Sequence, residues 1–184
     1  MKTLIIGLDG ATWSVIDPLM SENIMPNVKR FVNHGVRAVL KSTIPPVTNC
    51  AWLSLATGLN PGKTGVIDFF ALSSLPLNGR IASSLPFKGR MFWDLLSEKG
   101  FSCVILDYPS LISIYDLPSG VIVTSFKGSL KATPKCVEEE LLKIVEDYDI
   151  IVDYHDRKYD DFNLFIKDVN KAIEKKRKVT NYLK

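Results

Sequence analysis

The sequence has few of the residues that commonly bind metals or form cross-links. Its 184 residues include only two histidines, His34 and His155. The three cysteines, at positions 50, 103 and 136, are far apart and not arranged in metal-type pairs. Because their number is also odd, neither a disulfide framework nor a zinc knuckle is indicated, and we expect reduced thiols.

The sequence also lacks a long apolar run and a strong net charge. No run approaches the length of a membrane span, and the N-terminus leads into a strand-like segment instead of a signal peptide. A net charge of +3 is too small to indicate a nucleic-acid-binding protein. With 46% hydrophobic residues, the chain can bury one substantial core. We expect a cytoplasmic protein with one α/β domain over residues 1–184 and no nucleic-acid or membrane partner.

Apolar periodicity predicts alternating strands and helices. Continuous apolar runs predict strands at 3–8, 36–40, 101–106 and 121–124. Helical spacing predicts helices at 13–20, from Pro26 to a stop at Gly35, from Thr48 to Gly58, from Met91 to Gly100, from Pro134 onward, and over about 160–184. Residues 71–90 have no clear period and are predicted to form a loop excursion near the site. The recurring order of strand, helix and strand favours a mainly parallel sheet flanked by helices.

Asp9 and Thr48 occupy positions where such a fold places ligand-binding groups. Asp9 follows the first predicted strand, at the sheet edge where ligands bind in open α/β folds. Thr48 is a predicted N-cap, because Pro45 and Pro46 forbid a helix before it, and its hydroxyl would lie at the positive helix end. A threonine there is most often only a cap. A carboxylate near an alcohol at a helix N-terminus also suits metal-assisted phosphoryl transfer.

Five motifs, in this order, resemble those of a known family. They are Gly7-Leu8-Asp9-Gly10-Ala11, Met25-Pro26-Asn27, Pro45-Pro46-Val47-Thr48-x-x-x-Trp52, Leu55-Ala56-Thr57-Gly58 and Asn60-Pro61-Gly62-x-x-Gly65-Val66-x-Asp68-Phe69. Together they resemble the type I phosphodiesterase and nucleotide pyrophosphatase group of the alkaline phosphatase superfamily. The similarity covers the chain up to about the terminal helix.

The resemblance implies an alkaline phosphatase-like fold and a two-metal hydrolase, commonly with zinc, that acts on phosphodiesters or nucleotide-like molecules. It implies that Asp9 is a ligand of one metal. Thr48 would be both a ligand of that metal and the nucleophile that becomes phosphorylated or nucleotidylated. The backbone of Asn49, at the helix N-terminus, and Asp68 are further candidates for substrate binding.

The sequence departs from the family pattern at several positions. Thr64 stands where a histidine is common, Cys50 where a proline is usual, and Phe69 near an asparagine that helps hold the phosphate in nucleotide pyrophosphatases. We interpret Cys50 as a packed or cap-adjacent thiol. The family takes further metal ligands from Asp-x-x-x-His, Asp-His and another histidine in a C-terminal half, which we expect this chain to lack. His34 is expected to cap a helix, and the acidic residues around His155 are expected to form a solvated loop.

Three functions stay open at this point. The leading hypothesis is the N-terminal part of a metal-dependent phosphodiesterase or nucleotide pyrophosphatase-like hydrolase. It would be truncated or completed by a complementary C-terminal subunit, and weakly active or inactive alone. The second hypothesis is a non-catalytic binding or assembly module that uses an exposed sheet edge or the anion-binding helix end to recognise a partner, either a second copy or another subunit. The third is a phosphomutase relative from the same superfamily.

Overall fold

The computed structural model describes residues 2–69, 87–111, 113–126, 129–148, 150, 152 and 161–184. The chain divides into two compact units, Met1–Ser42 and Thr43–Lys184. Most of the predicted loop at 71–90, and the acidic segment around His155, lie outside the described residues.

The first unit contains two helices, α1 (Trp13–Ser21) and α2 (Pro26–His34). They confirm the two helices predicted there. The Trp13 indole N–H donates a hydrogen bond to the Ala38 carbonyl at 2.9 Å, and the Arg37 guanidinium lies 4.0 Å from the centre of the Trp13 ring. These contacts fasten the segment after α2 to the start of α1.

The strands predicted at 3–8 and 36–40 are not found. Neither segment joins a ladder, and their apolar side chains stay exposed, with Leu4 at 82% and Val36 at 98%. An apolar run sets only the tendency to be buried, whereas a strand also needs a neighbour that pairs with its N–H and C=O groups. Neither segment pairs with a neighbour in the described part of the chain, so the strand prediction is wrong for both.

The second unit is built on a three-stranded sheet. Its elements are α3 (Thr48–Thr57), α4 (Pro61–Thr64), α5 (Phe92–Glu98), β1 (Cys103–Leu106), β2 (Gly120–Phe126), β3 (Ser129–Thr133), α6 (Lys135–Ile144) and α7 (Phe162–Tyr182). The helices predicted to begin near 48, 91, 134 and 160 and the strands predicted at 101–106 and 121–124 are confirmed. Of the helices that the structure describes, none has the length and apolarity that a bilayer crossing requires.

The described sheet is mixed, not mainly parallel. β1 pairs with β2 in parallel, and β2 pairs with β3 antiparallel, in the order β1-β2-β3. β3 is absent from the sequence-based prediction because five residues with a central lysine are too short and too polar to stand out. Its Leu130 and Ala132 nevertheless face inward, so its antiparallel pairing with β2 fixes its place. The α/β class is therefore confirmed, and the mainly parallel arrangement is not.

β2 separates two hydrophobic clusters. Its neighbouring residues Ile122 and Val123 are both 0% exposed, and they face opposite sides because side chains alternate along a strand. Ile122 packs in one cluster with Trp93 of α5. Val123 packs in the other with Leu141 of α6 and Val179 of α7. Helices therefore cover both faces of the sheet.

A buried polar network fixes the start of α5. Asp94 is 3% exposed, and one of its oxygens accepts hydrogen bonds from the Gly89 and Met91 N–H groups at 2.9 and 3.0 Å. Its other oxygen accepts from the Tyr115 hydroxyl at 2.8 Å. The Trp93 indole N–H donates to the same Tyr115 oxygen at 3.0 Å. The carboxylate is thus satisfied inside the protein and ties α5 to the loop before β2.

Two adjacent leucines of α6 test the packing of this helix. Leu141 is 0% exposed, whereas Leu142 is 40% exposed. We expect Leu141→Ala to lower the free energy of unfolding by about 2–5 kcal/mol, because it leaves a cavity, and Leu142→Ala to lower it by less than about 1 kcal/mol. Urea unfolding followed by circular dichroism measures both changes. Equal losses would contradict the orientation of α6 against the sheet.

Candidate functional site

Thr48 lies in the first turn of α3. Val47, with extended backbone at φ −104° and ψ 139°, is the N-cap, and Thr48 is the first helical residue, so the prediction that Thr48 is the N-cap is wrong by one position. Val47 has no side-chain oxygen to cap the helix, and its carbonyl accepts the first helical bond from the Ala51 N–H at 3.0 Å. Gly58 closes α3 with a left-handed φ of 70°, as predicted. The Thr48 hydroxyl therefore belongs to the positive end of a ten-residue helix.

Asn49 fastens the chain after α4 to the start of α3. Its side chain is 3% exposed, and its Nδ2 donates to the Asp68 carbonyl at 3.3 Å. The Asp68 carboxylate accepts a hydrogen bond from the Phe69 N–H at 2.6 Å. The structure thus brings together Asn49 and Asp68, two of the predicted site residues. The sequence predicts a role for the Asn49 backbone only, since nothing in the pattern distinguishes a buried asparagine from an exposed one.

Cys50 is a packed thiol in the same turn. It is 1% exposed, which confirms the sequence-based interpretation. Burial, and next the negative charge of Asp68, raise the pKa of the Cys50 thiol.

Local hydrogen bonds stabilise the segment from Asn60 to Asp68, which follows α3. The Asn60 side chain accepts from the Lys63 N–H at 2.9 Å and so caps α4, while Gly65 ends α4 with a left-handed φ of 69°. The Thr64 hydroxyl donates to the Pro61 carbonyl at 3.2 Å and accepts from the Val66 N–H at 3.3 Å. Thr64, which replaces the histidine common in the family, is therefore used in local turn bonding.

Tyr108 holds α3 from the side of the sheet. It follows β1 closely, and its hydroxyl donates to the Trp52 carbonyl at 2.7 Å. The two rings meet edge to face at 5.2 Å between centroids. Burial raises the pKa of Tyr108, so the hydroxyl stays a donor. This contact is not predicted from the sequence, in which the position of Tyr108 just after a predicted strand is the one indication of it.

Asp9 belongs to the first unit. It lies in an exposed turn in which Gly10 adopts a left-handed φ of 66°, a conformation that other residues rarely take. The glycine in the motif is thus required by the turn that presents Asp9. Thr48, Asn49 and Asp68 belong to the second unit.

The family model for type I phosphodiesterase / nucleotide pyrophosphatase matches residues 3–183. The chain belongs to this family. No curated protein and no solved structure matches it. Membership makes the chain a phosphodiesterase- or pyrophosphatase-like hydrolase and confirms the resemblance that the five motifs carry.

The described residues do not form a complete zinc site. Phosphodiesterases of this family typically depend on divalent metals. No group of three or more histidine, cysteine, aspartate or glutamate residues in the described ranges could hold an ion. A catalytic zinc ion normally has three protein ligands, and of the two ligands that the resemblance implies, Asp9 lies in the first unit and Thr48 in the second. The His34 Nδ1 lies 2.8 Å from the Arg30 carbonyl, which confirms the predicted role at a helix end.

The three cysteines should differ in reactivity. Cys50 is buried, Cys103 intermediate and Cys136 exposed. Burial, and next the charge of Asp94, raise the pKa of Cys103, as burial and Asp68 do for Cys50. A raised pKa lowers the thiolate fraction, so at about pH 8 iodoacetamide should label Cys136 first and Cys50 last.

Mass spectrometry of digests at increasing times measures this order. Labelling of Cys50 should accelerate as the pH is raised towards its pKa, because thiolate is the reactive form. In concentrated urea all three cysteines should react alike, which provides the control. If Cys50 reacted as fast as Cys136 in the folded chain, the packing of α3 would be wrong.

Proposed function

We propose that this chain is a phosphodiesterase whose nucleophile is the hydroxyl of Thr48. The observation that supports the proposal is the location of Thr48 in the first turn of α3, with no side-chain cap on Val47. The backbone N–H groups and dipole at a helix N-terminus stabilise negative charge on an attacking oxygen and on a bound phosphate. Thr48 also stands within one of the motifs that resemble the family.

The proposed reaction proceeds in two displacements. The Thr48 Oγ loses its proton and attacks phosphorus, while the bond from phosphorus to one ester oxygen breaks and that oxygen takes up a proton as the leaving alcohol. Water then attacks the Thr48 phosphoester, which releases the phosphate monoester and restores the hydroxyl. Asn49, through its backbone N–H, and Asp68 are proposed to contact the substrate.

We also propose a divalent metal, with zinc as the first choice, that Asp9 and Thr48 would help to hold. When bound, such a metal supplies positive charge that stabilises a threonine alkoxide and the transition state. Because the sequence has only two histidines, whereas the resemblance implies several histidine ligands, we expect slow turnover by this chain alone. A complementary C-terminal subunit that supplies histidines would raise the turnover rate.

A covalent adduct tests the nucleophile even if turnover is slow. The purified chain is incubated with bis(p-nitrophenyl) phosphate and Zn²⁺, quenched in acid and analysed by peptide mass spectrometry. We expect a p-nitrophenyl phosphate adduct on Thr48, retained in Thr48→Ser and absent from Thr48→Ala, because only the first variant keeps a hydroxyl.

Thr57→Ala is the matched control. Thr57 lies at the other end of α3, where its hydroxyl donates to the Leu53 carbonyl at 2.7 Å. This variant should still form the adduct. An adduct on another residue, or release of p-nitrophenol unchanged in Thr48→Ala, would contradict the proposal.

An assembly role is a second candidate, and the edge of the sheet supports it. Among the described strands β1 pairs only with β2, and its Val104 is 52% exposed. An edge strand offers N–H and C=O groups that can pair with another chain. The partner would be a second copy or a complementary C-terminal subunit. Light scattering should then give a mass above that of one chain, and a monomer at all concentrations would contradict a homo-oligomer.

A further inference from the structure

The turn after β1 contacts two helices that pack on different parts of the second unit. This turn spans residues 107–110 and begins with Asp107 and Tyr108. The Tyr108 hydroxyl bonds to the Trp52 carbonyl of α3 at 2.7 Å. The Asp107 carboxylate pairs with the Lys176 ammonium of α7 at 3.3 Å. Two successive residues thus contact both the helix that carries Thr48 and the long terminal helix.

Asp107 is held from three directions. Its N–H donates to the Val123 carbonyl at 2.8 Å, which extends the parallel ladder beyond β1. The hydroxyl of Tyr148, a core residue, donates to the Asp107 Oδ2 at 2.8 Å. The Asp107 side chain is only 7% exposed, so its charge depends on the cation of Lys176 for compensation.

The turn has a conformation that its own sequence does not favour. Asp107 and Ser110 have left-handed φ values of 49° and 71°, although neither is a glycine. The Asp107 Oδ1 and the Ser110 Oγ are buried, and neither has a hydrogen-bond partner among the described residues. Both features cost free energy. The turn therefore keeps this conformation only while its neighbours hold it.

We propose that Asp107 is a positioning residue through which α7 fixes α3, and with it Thr48. While Lys176 is docked, Asp107 keeps its left-handed conformation and Tyr108 stays bonded to Trp52. When Lys176 is removed, the buried carboxylate loses its cation, the turn relaxes, and the hydroxyl of Tyr108 no longer holds α3. The coupling stands on these contacts, and only its effect on hydrolysis rests on the proposed function.

Hydrogen exchange followed by mass spectrometry tests the coupling. In Lys176→Met we expect the amides of α3 to exchange about threefold to tenfold faster, the size of one lost hydrogen bond. Lys171→Met is the matched control, because Lys171 lies on the same helix but pairs with Asp168 instead. It should leave α3 unchanged. Lys176→Arg keeps the cation and should restore slow exchange.

The amides of α6 serve as an internal reference, because the Glu138 carboxylate of α6 accepts a hydrogen bond from the Ala132 N–H of β3 at 2.8 Å, away from Tyr108. If α6 accelerates as much as α3 in Lys176→Met, the effect is global destabilisation and the proposal is overturned. If α3 is unchanged in Lys176→Met, the proposal is also overturned.

A double-mutant cycle shows whether the coupling passes through Tyr108. Tyr108→Phe removes the hydroxyl but keeps a ring that contacts Trp52 and Trp93 at centroid distances of 5.2 and 4.7 Å. It should accelerate exchange in α3 by itself, and adding Lys176→Met should then change little. Fully additive effects would mean that α7 does not act through this hydroxyl, which overturns the proposal.

Adduct formation on Thr48 gives the functional readout. In Lys176→Met the maximum rate of adduct formation should fall about threefold to tenfold, because the nucleophile is misplaced. The substrate concentration that gives half of the maximum rate should stay the same, because binding is kept. If the unaltered chain forms no adduct on Thr48, the proposed function fails, and the exchange experiment still decides the coupling. If the adduct forms but exchange does not respond, only the coupling fails.

Discussion

The double-sided burial of β2 is the constraint on which the second unit depends. Ile122 and Val123 are both fully buried on opposite faces, so neither face of the sheet can be left open to water. α5 covers the face that carries Ile122, and α6 and α7 cover the face that carries Val123. The parallel pairing of β1 with β2 then brings the end of β1 to Asp107 and Tyr108. The support of α3 from the sheet is thus a consequence of how β2 is buried.

The elements that could be predicted are those specified by nearby residues, such as helix caps and the spacing of apolar side chains. The helices that end at Gly58 and Gly35, and the one that begins after Pro134, follow from caps and spacing and are found. The segments at 3–8 and 36–40 show the limit of that information, because strand formation depends on a partner that a run of apolar residues does not specify. β3 is the opposite case. Its sequence pattern is weak, but its pairing with β2 makes it a strand.

In the candidate site, too, the local features could be predicted from the sequence and the long-range contacts could not. Thr48 and its helix could be found from the prolines before it and from the family motif. The bond from Asn49 to the Asp68 carbonyl and the bond from Tyr108 to Trp52 join residues 19 and 56 positions apart, and no periodicity encodes such pairs. The one-residue shift at the N-cap has a physical cause as well, since Val47 already has the extended backbone that an N-cap requires.

The structure also explains why the motifs identify a family better than a substrate. Asn60 caps α4, Gly65 ends it, and Thr64 bonds within the turn, so the motif after α3 serves mainly to place Asp68. The bond from Asn49 to the Asp68 carbonyl and the bond from Tyr108 to Trp52 fix α3, and with it the position of Thr48. The nucleophilic attack that we propose for Thr48 requires placement to a fraction of an ångström, and a helix held at several points favours such placement. Residues that only position α3 and α4 are needed whatever the ester, so a family match based on them does not specify the substrate.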